Sequence, residues 1–542
     1  MVRITPEERE AYESAGLWSR SETLSSLLAR NARERGDAVA VVDAQGVRYT
    51  YAELDRDATA LAAALAERGV GIGDAVGVQL PNRAESSVIV GALEKLGAIT
   101  VPLTPMFREH ELRYIGTKTR MVALFVPGRY RGHDFEAVAC NVMGQVPSLG
   151  LVVSLADQPV AGLACFATLV EEGGLSARGD EHSDPDIDPD AVTAILMTSG
   201  TESEPKAVLH TSNTLYANSR ALNQMLELGS DDHIFMASPI GHGTGYGFGT
   251  RLAIFLGSKL VLLDQWDPEH AAELITRERC VYTHASTTFA QDLLELDGIE
   301  QRDLSSLRWF VSGGASIPPG FAARMKHTIG CQLLRLYGQT EAFMTTLNRP
   351  EDAAEVLDSR DGRAVPGVDL AVWDAQGWPL PPGTAGELAC RGPHCCRGFL
   401  DDPERTAKTI TPDGWLKMGD LGILDQHGYV QIVGRVKDVI SRGGYKFSPR
   451  EVEEALLDHP LISRVVLVKV PDRRLGERAC ACVIPQGPAA PTLEDLTRFL
   501  RERGFAPYKL PEHLELMEAF PMTPAGKVQK FELELQLAAL QR

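Results

Sequence analysis

Residues 196–211 read Leu-Met-Thr-Ser-Gly-Thr-Glu-Ser-Glu-Pro-Lys-Ala-Val-Leu-His-Thr, so an apolar run stops at a hydroxyl-rich loop that ends in a lysine. Thr198, Ser199 and Thr201 offer hydroxyl donors, Gly200 lets backbone N–H groups approach a ligand, and Lys206 adds positive charge. That is the chemistry of a phosphate cradle. It is not the common nucleotide loop, because G-x-x-x-x-G-K-[ST] is absent here. In isolation such a stretch reads as an ordinary Ser/Thr-rich surface turn. It is not isolated. Tyr337-Gly338-Gln339-Thr340-Glu341 follows the apolar run 332–336, and Trp415-Leu-Lys-Met-Gly-Asp420 comes later. Then come Gly434-Arg435-Val-Lys437-Asp438, Gly443-Gly444-Tyr-Lys446 and Pro524-Ala-Gly-Lys527.

The elements that must position these residues show in the hydrophobic pattern. Leu54, Ala58, Leu61, Ala62 and Leu65 recur at helical spacing within 51–68. Residues 75–80 read as a buried strand, 85–96 as a helix and 99–103 as another strand, and the alternation recurs at 233–263 and 280–311. This predicts an α/β protein with two doubly wound αβ layers. The polar, proline-punctuated segment 173–190 is a loop. From 361 to 433 the texture changes to short strands between Gly and Pro turns, a small β-barrel-like subdomain. Residues 439–542 read as a small α+β domain, with helices at 448–458 and 492–503 and strands at 464–470 and 479–484. The expected organisation is therefore a large domain 1–433, a junction 434–438 and a C-terminal domain 439–542.

The five motifs, in this order, resemble the adenylate-forming superfamily of acyl-CoA and aryl-CoA ligases, stand-alone adenylation domains and beetle luciferases. The resemblance runs from Tyr49-Thr-Tyr-Ala-Glu-Leu54 to Lys527, and the Thr-Glu-Ser form of the loop looks most like cyclohexanecarboxylate-CoA-ligase-type enzymes. It implies two half-reactions. A carboxylate attacks the α-phosphate of ATP and releases pyrophosphate; a thiol then attacks the acyl carbon and AMP leaves. By resemblance, Lys527 is the catalytic cation of the first step, Glu341 holds Mg²⁺, and Thr340 donates to the α-phosphate. Tyr337 and Gly338 border the nucleotide, Asp420 takes the ribose hydroxyls, and Arg435 supports ribose and phosphate. Gly313, Gly314 and Ala315 resemble the adenine-contacting turn, Lys437 sits at the hinge of a mobile tail, and Gly443, Gly444 and Lys446 belong to thioester formation. Each has a bland counterpart: a solvated lysine, a turn carboxylate, a surface ion pair, a ligand-free glycine turn.

Two departures stand out. The usual loop Thr-Thr-Gly-x-Pro-Lys-Gly becomes Thr201-Glu202-Ser203-Glu204-Pro205-Lys206-Ala207, and Met418 replaces the threonine before Gly419-Asp420. A carboxylate about 4 Å from a phosphate charge costs roughly 4 kcal/mol at an effective dielectric near 20. If Glu202 and Glu204 face the triphosphate, adenylation suffers; if they face solvent, little changes. An adenylation-impaired enzyme using a supplied acyl-adenylate is one reading of this asymmetry.

By resemblance His242 stands at the gate beside the substrate carboxylate, although a satisfied structural histidine is an equal reading. Gly243, Tyr246, Gly247, His284, Ser286, Phe289, Gly313 and Phe343 are expected to line the pocket. The glycines leave room for a bulky alicyclic, polycyclic or terpenoid-like acid, or allow flexible packing of a helix N-terminus. Gly243 stands where amino-acid activators of the family carry an aspartate, so an α-amino acid is not expected. The expected acceptor is coenzyme A, with Arg442, Lys446, Arg473 and Arg474 as candidate partners of its phosphates; a carrier protein is the alternative. A non-catalytic adenylate-binding protein is disfavoured by Lys527, Glu341 and Asp420.

Composition sets the remaining bounds. The chain has 542 residues, too many for one core. A net charge of −19 argues against nucleic acid or an anionic membrane surface as partner. Nine cysteines form no C-x-x-C pair, which argues against a zinc site and suits a reducing compartment. The first ten residues carry no apolar core and no run is long enough for a membrane span, so a cytoplasmic protein is expected. A homodimer stays open.

Overall fold

The structure is a computed structural model that describes residues 2, 4–176, 187–198, 205–313, 317, 320–442, 445–522 and 528–540. The chain divides into two compact units, one built from 1–198, 205–369 and 391–414, the other from 370–390 and 415–542.

In the first unit, a seven-stranded sheet runs in the order Lys206–Thr211, Val192–Thr198, Ile99–Leu103, Ala75–Gln79, Ala123–Val126, Leu151–Ser154, Ala164–Cys165. All neighbours are parallel except the first pair. A nine-stranded sheet has a parallel core ordered Gln332–Tyr337, Trp309–Gly313, Cys280–Ala285, His233–Met236, Leu260–Leu262, Val39–Asp43, with short antiparallel strands at its edges. The mixed α/β class expected from strand–helix alternation is the class observed. Ala75–Gln79 is buried at all five positions, as a parallel strand covered on both faces must be.

Helix Tyr51–Glu67 illustrates why these segments fold locally. Thr50 and Glu53 form a capping box, each side chain bonded to the other's backbone N–H. Leu54, Ala58, Leu61, Ala62 and Leu65 are buried, and so are Ala60, Ala63 and Ala64. The small residues let helices Glu85–Leu96 and Phe166–Ser176 pack closely against it.

A buried ion pair ties the layers of this unit. Arg251 Nη1 lies 2.5 Å from Glu94 Oε1, with side chains 1% and 2% exposed. Thr193 Oγ1 donates to the same carboxylate oxygen at 2.5 Å, and Tyr246 Oη and Ser212 Oγ lie 3.3 and 3.4 Å from the guanidinium. The guanidinium also sits 4.6 Å over the Tyr216 ring. Burial by itself disfavours the charged arginine, but Glu94 outweighs it and the guanidinium stays protonated. One cluster thus joins helix Glu85–Leu96, strand Val192–Thr198, helix Ser212–Leu226 and the π-helix Thr244–Arg251.

In the second unit, strands Asp369–Trp373, Ala385–Arg391, Leu416–Leu424 and Val430–Arg435 form a four-stranded sheet in that order. Among the described residues it is open rather than the barrel-like closure expected; four strands are too few to close around a filled interior. The tail carries a second sheet built on the long antiparallel pair Ile462–Asp472 and Gly476–Pro485, covered by helices Pro449–Leu456, Leu493–Glu502 and Lys530–Leu540. No helix among the described residues is long and apolar enough to cross a membrane.

Removing one charge of the buried pair strands the other. Glu94→Gln is expected to destabilise the first unit by about 3–5 kcal/mol, while Glu94→Leu with Arg251→Met recovers much of that loss. Urea unfolding followed by tryptophan fluorescence checks the order of the two variants.

Candidate active site

The phosphate-loop strands form an antiparallel pair in which Thr198 stands directly opposite Lys206. Thr198 Oγ1 is buried and has no hydrogen-bond partner among the described residues. A buried hydroxyl without a partner is costly unless a ligand or water completes it, and a phosphate oxygen fits. Ser199, Gly200, Thr201, Glu202 and Glu204 lie outside the described residues. The outer edge of Lys206–Thr211 is covered by 397–400: Arg397 N–H donates to Leu209 O at 2.8 Å, Leu209 N–H to Gly398 O at 3.0 Å, and Leu400 N–H to Ala207 O at 2.9 Å.

Tyr337-Gly338-Gln339-Thr340-Glu341 turns off the end of strand Gln332–Tyr337. A Cβ on Gly338 would lie 1.5 Å from Phe343 O, so only glycine fits. Two consecutive carbonyls of this turn are tied down. Thr340 O accepts from His210 Nε2 at 2.8 Å, and Glu341 O accepts from Cys396 N–H at 2.7 Å. A carbonyl only accepts, so Nε2 carries the His210 proton, and Nδ1 accepts from the Thr214 hydroxyl at 3.1 Å. Burial, countered in part by the bond to Thr340, lowers the His210 pKa to about 4. Glu341 itself is 7% exposed. Burial pushes the Cys396 thiol up, and the Glu341 charge adds to it. Gly313 pairs with Leu336, and a Cβ there would lie 2.5 Å from Leu336 O; Gly314 and Ala315 lie outside the described residues.

His210 is the residue that sequence reading passed over. The signal was one ring nitrogen source inside an otherwise apolar strand, Ala207-Val208-Leu209-His210. His394 was passed over as well. It is fully buried, neither ring nitrogen has a partner among the described residues, and burial followed by the nearby His210 lowers its pKa to about 3.

Several residues expected to line the acyl pocket lie on or beside the π-helix Thr244–Arg251. His242 is exposed, and its Nδ1 accepts from Thr244 N–H at 3.3 Å. Tyr246 is buried, with its hydroxyl in the Arg251–Glu94 cluster. The room expected at the glycines is mostly taken by the protein itself. A Cβ on Gly245 would lie 2.3 Å from Pro239 O, and one on Gly247 would lie 2.5 Å from Phe343 Cε1. Gly243 is the opening, with Phe343 Cζ 3.7 Å and Leu196 Cδ1 3.9 Å from its Cβ position. Rings form a continuous row: His210 and Phe343 at 5.1 Å, Phe343 and Phe248 at 5.9 Å, Phe248 and His284 at 4.4 Å. Ser286 precedes helix Thr287–Leu294, whose Phe289 packs on Trp266 at 4.3 Å.

In the second unit, Asp420 and Arg435 face each other across the register, with Arg435 Nε 3.0 Å from Asp420 Oδ1. Leu416, Met418 and Asp420 alternate onto one buried face, so Met418, noted above as a departure from the usual threonine, packs in the interior. Lys437 is exposed on the short turn Val436–Asp438, and its carbonyl accepts from Lys469 Nζ at 2.8 Å. A Cβ on Gly434 would meet Ser448 Oγ at 2.2 Å. Arg442 is bound to Glu512 at 2.6 Å rather than free for a phosphate. Gly443, Gly444, the Lys446 side chain and Lys527 lie outside the described residues. No cluster among the described residues has the ligand set of a preformed metal centre.

With the site in place, comparison with known proteins becomes decisive. Residues 28–400 match the AMP-binding enzyme family and residues 451–527 match its C-terminal domain. The chain belongs to that family. It is 36% identical to a medium-chain fatty-acid–CoA ligase of Escherichia coli (strain K12), over 98% of this chain and 93% of that one. It is 31% identical to the 3-[(3aS,4S,7aS)-7a-methyl-1,5-dioxo-octahydro-1H-inden-4-yl]propanoyl:CoA ligase of Rhodococcus jostii (strain RHA1), over 94% and 97%. The fold matches the anthranilate CoA ligase AuaEII in complex with anthranoyl-AMP at a TM-score of 0.85, 25% identity, and 97% and 99% coverage. An ATP-dependent, AMP-forming ligase follows from this membership.

His210→Leu, which frees the Thr340 carbonyl, is expected to slow ATP–pyrophosphate exchange by about tenfold to a hundredfold, with His210→Gln closer to the parent. His210, His394 and His284 have folded pKa values of about 4, 3 and 3, each below the ordinary value near 6.5. The unfolded chain therefore binds protons that the folded chain refuses. Stability falls as pH drops from about 6.5 towards 4, by about 1.4 kcal/mol per pH unit for each histidine. Denaturation midpoints at stepped pH read this slope, and His394→Leu removes about a third of it.

Proposed function

We propose that this ligase activates a bulky, hydrophobic, ring-bearing carboxylic acid as its acyl-adenylate and passes the acyl group to coenzyme A. The observation that carries the acid class is the apolar surround of Gly243, with Phe343 at 3.7 Å and Leu196 at 3.9 Å. Among the described residues, the three heavy atoms nearest the Gly243 Cβ position are apolar carbons, and none belongs to a carboxylate that would hold an α-ammonium group. The names of the three relatives, all CoA ligases, support the acceptor, and the two ring-bearing acids among them support the substrate class.

In this reading the acid's oxygen attacks the α-phosphorus and pyrophosphate departs. Thr198 and Thr340 donate to the phosphates, Lys206 and Lys527 neutralise charge, and Asp420 with Arg435 holds the ribose. Glu341 is the residue that would hold Mg²⁺, which when bound lets a carboxylate and a triphosphate stand together. The thiol then attacks the acyl carbon and AMP leaves. One site cannot take the lysine and the thiol together, so the tail 439–542 moves about 434–438 between the steps, with Lys437 at the pivot and Gly443, Gly444 and Lys446 serving the second step. A second reading keeps thioester formation and weakens adenylation. It is favoured by the added carboxylates of Glu202 and Glu204 in the loop sequence.

Half-reactions assayed separately decide between these. Pyrophosphate release is expected with ATP and large ring acids, followed by CoA thioester formation. Lys527→Ala is expected to suppress the first step far more than thioester formation from supplied acyl-adenylate. Thioester formation only from supplied adenylate selects the second reading. Transfer to a carrier protein and not to CoA overturns the acceptor, and preference for amino acids overturns the acid class.

A further inference from the structure

A half-open cavity of about 190 Å³ in the first unit is lined by Arg35, Ser230, His233 and Lys259. Engineered cavities of about 150 Å³ hold a benzene, so a tetrahedral oxyanion has room. The cavity lies at the N-terminal edge of the nine-stranded sheet, where strands Val39–Asp43, His233–Met236 and Leu260–Leu262 begin. The motif turn 337–341 leaves the opposite, C-terminal edge of the same parallel run. Its walls are cationic. Lys259 Nζ, Arg48 Nη2 and Arg277 Nε converge on the buried Glu278 carboxylate at 2.7, 2.5 and 3.1 Å. Burial would raise Glu278, but these bonds outweigh it and hold its pKa at about 2. Arg35 Nη2 pairs with Asp231 Oδ1 at 3.0 Å, and the Asp231 side chain is 95% exposed. These pairs set four cations against two carboxylates in a chain of net charge −19. An exposed pair is worth little, so an incoming anion displaces Asp231 from Arg35 at small cost. His233 Nδ1 lies 2.6 Å from Glu278 O. A carbonyl only accepts, so Nδ1 carries the ring proton and Nε2 of the neutral ring is an acceptor. Burial first, opposed by the Glu278 bond and aided by the Lys259 charge, lowers the His233 pKa, which favours that neutral ring.

We propose that this cavity is a binding site for hydrogen phosphate, with Arg35, Lys259 and Ser230 donating to its oxygens and its own P–O–H donating to His233 Nε2. The site is separate from the ligase reaction and does not rest on that reading. Cations alone take any small oxyanion, so they supply affinity without choice. The imidazole acceptor supplies the choice. Near pH 8 inorganic phosphate is a dianion that still carries one proton. Sulfate carries none, and a phosphomonoester, with its second pKa near 6, has lost its last. A proton-free oxyanion sets its lone pair against that of Nε2 and leaves the nitrogen unpaired.

The test titrates the full chain near pH 8 with inorganic phosphate, sulfate or methyl phosphate at fixed ionic strength. Saturating α,β-methylene-ATP keeps the anions out of the nucleotide site. Dissociation constants follow from the rise of the thermal midpoint with anion concentration. The parent is expected to bind phosphate tenfold or more tightly than sulfate or methyl phosphate. Asp231→Asn, which releases Arg35, is expected to tighten all three anions by a few fold. Arg35→Gln, which breaks only an exposed pair, is expected to weaken all three about tenfold, and neither variant changes the ratio. His233→Phe is expected to bring phosphate down to the level of sulfate. Equal binding of the three anions by the parent overturns the assignment. So does a phosphate affinity that Asp231→Asn and Arg35→Gln both leave unchanged, or no binding at all. Each of these failures leaves the ligase reading standing, because pyrophosphate release is measured separately.

Discussion

Glu94 and Arg251 meet at 2.5 Å in the interior of the first unit, and the π-helix Thr244–Arg251 ends on that contact. Taking two charges out of water costs several kcal/mol per ion, so the pair is a weak source of net stability. What it contributes is direction. Apolar layers slide past one another at little cost, whereas a carboxylate oxygen that serves both Arg251 and Thr193 accepts one arrangement. We read the cluster as a registry device for the π-helix Thr244–Arg251, which begins two residues past the exposed His242 and ends on Arg251. An extra residue per turn widens that helix, and such segments recur at functional sites. Phe248 of this helix packs on His284 at 4.4 Å and on Phe343 at 5.9 Å.

The glycines of this helix have a packing role first. Gly245 lets the helix approach the Pro239 backbone, and Gly247 lets it approach the Phe343 ring. Phe343 in turn adopts φ 46°, a left-handed conformation that a bulky residue rarely takes. It is held by its neighbours: Gly338 lies against its carbonyl, and Thr345 N–H donates to Tyr337 O at 3.0 Å. The strain therefore belongs to the same turn that carries Thr340 and Glu341. The Phe343 ring beside Gly243 and the tied carbonyls of Thr340 and Glu341 therefore share one over-determined loop.

Much of the scaffold was legible because its signals are local. Periodicity marked helix Tyr51–Glu67 and strands Ala75–Gln79 and Ile99–Leu103, whose burial follows from the pattern itself. The motif turns were legible because glycine is obligatory where backbone approaches backbone, as at Gly338 and Gly313. What failed was inference from absence. A glycine-rich segment was expected to leave space for substrate, but space is a property of what packs opposite, and Phe343, which meets Gly247, and Leu103, whose carbonyl would lie 2.2 Å from a Cβ on Gly241, are distant in sequence. The same limit hid His210, bonded to Thr340 130 residues away, and His394, whose ring nitrogens have no hydrogen-bond partner among the described residues. The Glu94–Arg251 pair was equally invisible, since nothing in either neighbourhood names the other.

The turn at 340–341 shows how such distant partners bear on chemistry. Peptide carbonyls are negative ends of dipoles, and a phosphate near two free ones would be repelled. His210 and the Cys396 N–H bind both carbonyls, one from the strand that leaves the phosphate loop and the other from the segment laid along its edge. In the proposed reaction charge builds on phosphate oxygens, so the useful environment is one whose donors are free and whose acceptors are already occupied before substrate arrives. Among the described residues Thr198 Oγ1 has no partner, and the two carbonyls are occupied. That sorting costs nothing at the moment of reaction, because folding has already done it. The neutral ring suffices for it, since Nε2 donates to Thr340 O. The Thr214 hydroxyl, which accepts the Thr211 N–H at 2.9 Å and can donate to Thr211 O at 3.1 Å, would accept a second donor at Nδ1, so it is desolvation and not this contact that keeps the ring neutral. The burial that lowers the His210 pKa is therefore part of the same arrangement that holds Thr340.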